Sequence, residues 1–222
     1  MNKYWAVTAA IKYLAGAGVK TADYMNRTVD SLVRDLYKNE ISDGEFQDSM
    51  FQLIEDQFKR AFNEGMRIND LDPTVDWNDE IESAYQNAVT NQIQYIEKFA
   101  MDIENGASNE SGTSEFLSRS ELWANQYDSV VQEAQMLTAE KKDKYIWELG
   151  ATEHHCESCS ALNGIVAYAE EWQEAGFIPG NAPNNLLICG GWHCDCKLRP
   201  TDERRTQNAL QILLDLATSQ NV

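Results

Sequence analysis

Five cysteines and three histidines are the residues with which this sequence can do chemistry. One group is His154-His155-Cys156-Glu157-Ser158-Cys159; the other is Cys189-Gly190-Gly191-Trp192-His193-Cys194-Asp195-Cys196. A Cys-x-x-Cys turn sets two thiolates about 3.5–4 Å apart, the separation of two corners of a zinc tetrahedron. If residues 194–196 are extended, Cys194 and Cys196 point to the same side and supply further corners. Cys189, which follows an apolar run and precedes two glycines, can stand in for either. Four of Cys156, Cys159, Cys189, Cys194 and Cys196 are therefore expected to bind a structural Zn2+. His193 is a possible substitute ligand, and His154 and His155 stand further down the order. A closed four-ligand site has no open position for substrate, so no catalytic residue and no organic cofactor is expected.

Other uses of the same thiols make different demands. A disulfide framework would use an even number of cysteines spread along the chain, whereas all five lie between Cys156 and Cys196. A redox Cys-x-x-Cys opens a helix after a strand within a βαβ unit, and no such alternation is expected around Cys156. A thiol- or metal-dependent enzyme using the Cys/His cluster, for instance a Cys156–His193 pair, is the alternative reading.

The elements that must position these residues read as mainly α: a helical N-terminal body over 1–144, then a small irregular α+β module clasped by zinc, with a terminal helix, over 145–222. Within the body, a helix pair is expected over about 21–66. Tyr24, Met25, Val29, Leu32, Val33 and Leu36 recur at helical spacing. So do Phe46, Met50, Leu53, Ile54, Phe58, Ala61 and Phe62, with charged residues off the stripe. Ser42 and Glu45 have the spacing of a capping box, and Gly65 marks a helix end. Long helices are expected at about 80–104 and 116–139, separated by a flexible Gly/Ser/Asn-rich link. Residues 145–149 read as a short strand ended by Gly150, and 203–219 as a helix carrying Leu210, Leu213, Leu214 and Leu216. Between them the chain reads as loop-rich, with little capacity for a core of its own.

Charge narrows the partners. The 222-residue chain has 36 acidic and 18 basic residues, a formal charge of −18. Phosphate backbones and anionic membranes are repelled by most of such a surface. The exception is a local basic spot at Lys197, Arg199, Arg204 and Arg205, which leaves contact with DNA open. An acidic DNA-mimic inhibitor is a further alternative suggested by charge alone. Residues 1–17 are apolar but interrupted by Lys3 and Lys12, and they fall short of the roughly 20 residues a bilayer span needs. A helix packing on protein is expected there, with neither export signal nor membrane partner. The carboxylates at Asp70, Asp72, Asp76, Asp79, Glu80 and Glu82 lack the spacing of a calcium loop and read as a solvated acidic stretch.

Several of these residues together resemble a known family. The run at 147–150, the Cys156/Cys159 pair, Leu162-Asn163-Gly164, Trp172, Pro179-Gly180 and Cys189 to Cys196 resembles the end of phage minor head proteins, the head-morphogenesis proteins of the phage Mu F-like and SPP1 gp7-like group. The helical stretch from Leu36 through Glu45, Phe46 and Ala61 to Gly65 is similar to the helix pair of that group. The chain departs from the pattern where His193 directly precedes Cys194, and where Asp195 replaces the usual Arg. The resemblance implies a non-enzymatic virion component acting in head morphogenesis, bound near the portal vertex and linked to DNA packaging or delivery. It implies portal or major capsid protein as partner, an oligomeric or partner-dependent state, and a place in the virion after assembly in the host cytoplasm.

Overall fold

The computed structural model of the chain describes residues 21–110, 112–151, 154–180, 183–191 and 194–219. The N-terminal segment 1–17, expected to be a packed helix, lies outside the described residues, as does His193.

Four long helices come first: α1 (Thr21–Tyr37), α2 (Asp43–Ile68), α3 (Asp79–Ser108) and α4 (Ser114–Thr138). The C-terminal part alternates short elements: β1 (Lys144–Glu148), α5 (Glu157–Leu162), β2 (Val166–Tyr168), α6 (Ala169–Ala175), β3 (Lys197–Pro200) and α7 (Ala209–Ser219). The protein is mainly α with one small three-stranded sheet in its C-terminal region, as the hydrophobic periodicities predict. Two compact units divide it, Met1–Phe58 with Asn87–Ala124 and Lys59–Gln86 with Asn125–Val222. Helices α2, α3 and α4 each contribute residues to both.

In the first unit, the stripes read from the sequence form the core. Met25, Val29, Leu32, Val33 and Leu36 of α1 are buried, as are Phe46, Met50, Leu53, Ile54 and Phe58 of α2. Phe99 of α3 packs its ring 6.0 Å from Phe46 and 4.9 Å from Trp123. The capping box at the start of α2 is reciprocal: the Ser42 N–H donates to Glu45 Oε2 at 2.8 Å, and the Glu45 N–H to Ser42 Oγ at 3.3 Å.

The second unit contains the cysteines. Gly65, expected to end α2, sits instead inside it, and the helix runs on to Ile68. Its role is close approach: a Cβ there would lie 2.5 Å from the Val131 carbonyl and 2.7 Å from the Ala134 Cβ. Nearby, two acidic residues of the 69–78 loop act as turn caps. Asp72 Oδ1 accepts from the Thr74 N–H and hydroxyl, and Asp76 Oδ2 accepts from the Asp72 N–H. Lys59 Nζ lies 3.1 Å above the Trp77 ring centre, holding the loop end against α2.

The sheet has the order β2-β1-β3, with both pairs antiparallel. Its edges are closed by side chains. On β3, the Leu198 N–H donates to Gln132 Oε1 at 2.8 Å, and Gln135 Nε2 donates to the Leu198 carbonyl at 3.1 Å. On β2, Val166 exchanges bonds with Thr206: its N–H donates to the Thr206 hydroxyl, and its carbonyl accepts the Thr206 N–H. Two glutamines one helical turn apart on α4 thus take the place of a neighbouring strand. The region read as loop-rich between 150 and 203 also contains α5, β2, α6 and β3. It has a core, with Trp147, Trp172, Leu162, Phe177 and Leu187 buried around Cys159 and Cys196. The terminal helix begins at Ala209 rather than 203.

Candidate metal centre

Three separate stretches of chain deliver the thiols. The first is the turn from β1 into α5. Cys156 is the N-cap of α5, with φ −68° and ψ 160°, and its Sγ accepts the Cys159 N–H at 3.4 Å. The Cys-x-x-Cys pair therefore does open a helix after a strand. The following strand, however, runs antiparallel to β1, so no βαβ unit forms. That helix is hung from β1 at its far end: Gly164, at φ 80°, turns the chain and donates its N–H to the Trp147 carbonyl at 2.9 Å.

The second stretch is the loop ending in Cys189. Asn184, nearly buried, organises it: its amide donates to the Gly176 carbonyl and its Oδ1 accepts the Leu186 N–H. The Asn184 N–H donates to the Gly190 carbonyl at 2.9 Å, closing the loop on itself. Ser158, buried inside α5, then accepts the Ile188 N–H at 2.9 Å. That bond brings Cys189 beside Cys156. The third stretch is the approach to β3, carrying Cys194 and Cys196. There Gly150 matters, because a Cβ on it would lie 2.0–2.3 Å from the Asp195 carboxyl group. The Gly150 N–H also donates to Cys196 Sγ.

All five predicted cysteines come together. Cys156, Cys159 and Cys189 form one group whose ligand atoms lie within 4.8 Å of one another; Cys159, Cys194 and Cys196 form a second. Cys159 belongs to both, with its Sγ 3.6 Å from that of Cys194. Around an ion with metal–sulfur bonds of about 2.3 Å, sulfurs stand about 3.8–4 Å apart. A third group joins His155 and Asp195 to Cys196. Spacing along the chain named His155 only as a lesser candidate and gave no reason to include Asp195. Exposed His154 joins none of the three groups.

The electrostatics suit a cation. Hydrogen bonding from Cys159 and then from Cys194, with the Gly150 N–H adding to it, pulls Cys196 down to about 2. Cys159 goes up, first because it donates to Cys194 and Cys196 and then through burial. Burial alone would raise Cys156, but the Cys159 N–H and side chain bring it below an ordinary thiol. Cys156 and Cys196 are thus held low while Cys159, Cys189 and Cys194 are raised, so the sulfurs share protons that a soft cation would replace. A Cys-rich cluster able to hold a metal ion is what this geometry provides.

Three of the four cations read as a basic spot, Lys197, Arg199 and Arg205, are set against carboxylates. Arg199 Nη2 lies 2.7 Å from Glu148, Lys197 Nζ 3.8 Å from Asp128, and Arg205 pairs with Glu171. No described helix is long and apolar enough to cross a membrane. Compared with known family models, curated proteins and solved structures, the chain finds no match.

Proposed function

We propose that the chain is a non-enzymatic virion component of a phage head, acting in head morphogenesis near the portal vertex, with a C-terminal end clasped by structural zinc. The observation that carries this reading is the convergence on Cys159 of thiols from three stretches, in a segment whose motifs resemble the end of phage minor head proteins. All-sulfur ligation by a small Gly-rich module fits zinc, which needs four such ligands and no redox chemistry. Four of the five cysteines would hold the ion. The portal or major capsid protein is the partner, engaged during assembly in the host cytoplasm. With Lys197, Arg199 and Arg205 paired to carboxylates, contact with packaged DNA would be secondary to protein contacts.

Co-expression with the portal and major capsid proteins of the same virion tests the role. The chain should co-purify with one of them and appear in assembled heads. A chain that stays monomeric beside both, and is absent from heads, contradicts it.

One observation favours a second reading, a thiol-dependent enzyme: Cys156 is half-buried at a helix start and titrates below an ordinary thiol. Native-state alkylation separates the two. One fast-reacting cysteine with the other four reacting at an ordinary rate, unchanged by a chelator, supports the enzyme, whereas four thiols protected until a chelator is added support the zinc clasp.

A further inference from the structure

A tetrahedral divalent ion needs four sulfurs, yet five converge, and they do so in a particular way. The thiol groups with mutually close ligand atoms are threes, not fours: Cys156 with Cys159 and Cys189, and Cys159 with Cys194 and Cys196. Three thiolates around one point are a trigonal site, the coordination that soft monovalent d10 ions accept and that divalent zinc does not prefer. Two trigonal sites need six sulfurs, or five if one bridges. Cys159 is the sulfur common to both groups, and it is buried between them.

We propose that the centre takes up two Cu(I) ions, one in each triad, with the Cys159 thiolate bridging them, whereas Zn2+ fills it only once. Each ligating thiol releases its proton to buffer and no electron is transferred. Cys196 is the better prepared of the terminal ligands in its triad, because the Gly150 N–H already donates to its sulfur. Cys189 is held in the other by the bond between the Ile188 N–H and Ser158. This inference rests on the reading of the five cysteines as a thiolate metal centre and is independent of the virion role.

The test is a titration of the full-length, metal-free chain under argon, with Zn2+ in one arm and the Cu(I)–acetonitrile complex in the other. The copper arm is run against bicinchoninate as competitor, with stoichiometry read by native mass spectrometry. Zinc should stop at one ion per chain and copper at two, with the luminescence of a copper–thiolate cluster appearing at the second ion. Cys189→Ser should retain one copper, and Cys159→Ser should abolish the luminescent two-ion state. X-ray absorption on the wild-type copper form gives a readout that needs no variant to fold: a copper–copper scattering shell is expected. Copper saturating at one ion per chain, a spectrum without that shell, or two-ion uptake surviving in Cys159→Ser overturns the proposal. If zinc binds once and copper once, only this inference falls. If neither metal binds, the thiolate centre itself falls with it.

Discussion

Asp195 lies against Gly150 so closely that one added carbon would collide with its carboxyl group. The same glycine gives its N–H to Cys196. Such outer contacts hold a ligand in place, and losing one typically costs about 10–100-fold in metal affinity. Gly150→Ala is therefore expected to weaken metal binding by that order, measured by competition with a chromophoric chelator; unchanged affinity would remove Gly150 from the account. Glu171 makes a second residue-level case. The Arg205 guanidinium, aided by the Tyr168 N–H, holds its carboxyl below the ordinary carboxylate range. A carboxylate depressed in the folded state contributes stability above its unfolded pKa and loses it as pH falls through the folded value. Glu171→Gln should thus cost about 1–2 kcal/mol at neutral pH, and the deficit should shrink on acidification below about pH 4.5. Urea titrations across that range check the sign, and a deficit that grows in acid would contradict it.

Among the elements, α4 explains what the sequence could and could not reveal. Its apolar positions predicted a helix, and the stripes of α1 and α2 predicted most of the first unit's core. Nothing in the sequence pattern singled out the glutamines of α4, since polar side chains usually face water. Gln132 and Gln135 are instead buried, serving the edge of a strand that pattern alone had not placed. Short strands such as β2 and β3 have too few residues for alternation to register, and β3 is recruited by its pairing with β1. The five cysteines were legible because thiol spacing is a local signal; Ser158 and Asp195 were not, since their roles arise from contacts distant in sequence, and Asn184 was not because it organises an irregular loop that has no periodicity to read. Gln132→Leu should orphan the buried Leu198 N–H and cost about 1–3 kcal/mol. Gly65→Ala is expected to destabilise by about 1–3 kcal/mol although alanine is the better helix former by about 1 kcal/mol, because the backbone of α4 stands where the methyl must go. Denaturant midpoints decide both, and a stabilised Gly65→Ala variant would show that the two helices yield.

At the scale of the molecule, an acidic chain carries its chemistry in one small sulfur-lined centre. The buried cysteines are part of the C-terminal core beside Trp147, Trp172 and Leu187, so ligation and packing are coupled. The most direct measurement is the metal content of the purified full-length chain by elemental analysis, paired with thiol titration before and after chelation. The account predicts one zinc per chain, thiols that resist alkylation, and a C-terminal segment that becomes protease-sensitive when the ion is removed. A folded, metal-free protein whose five thiols all react freely would contradict it.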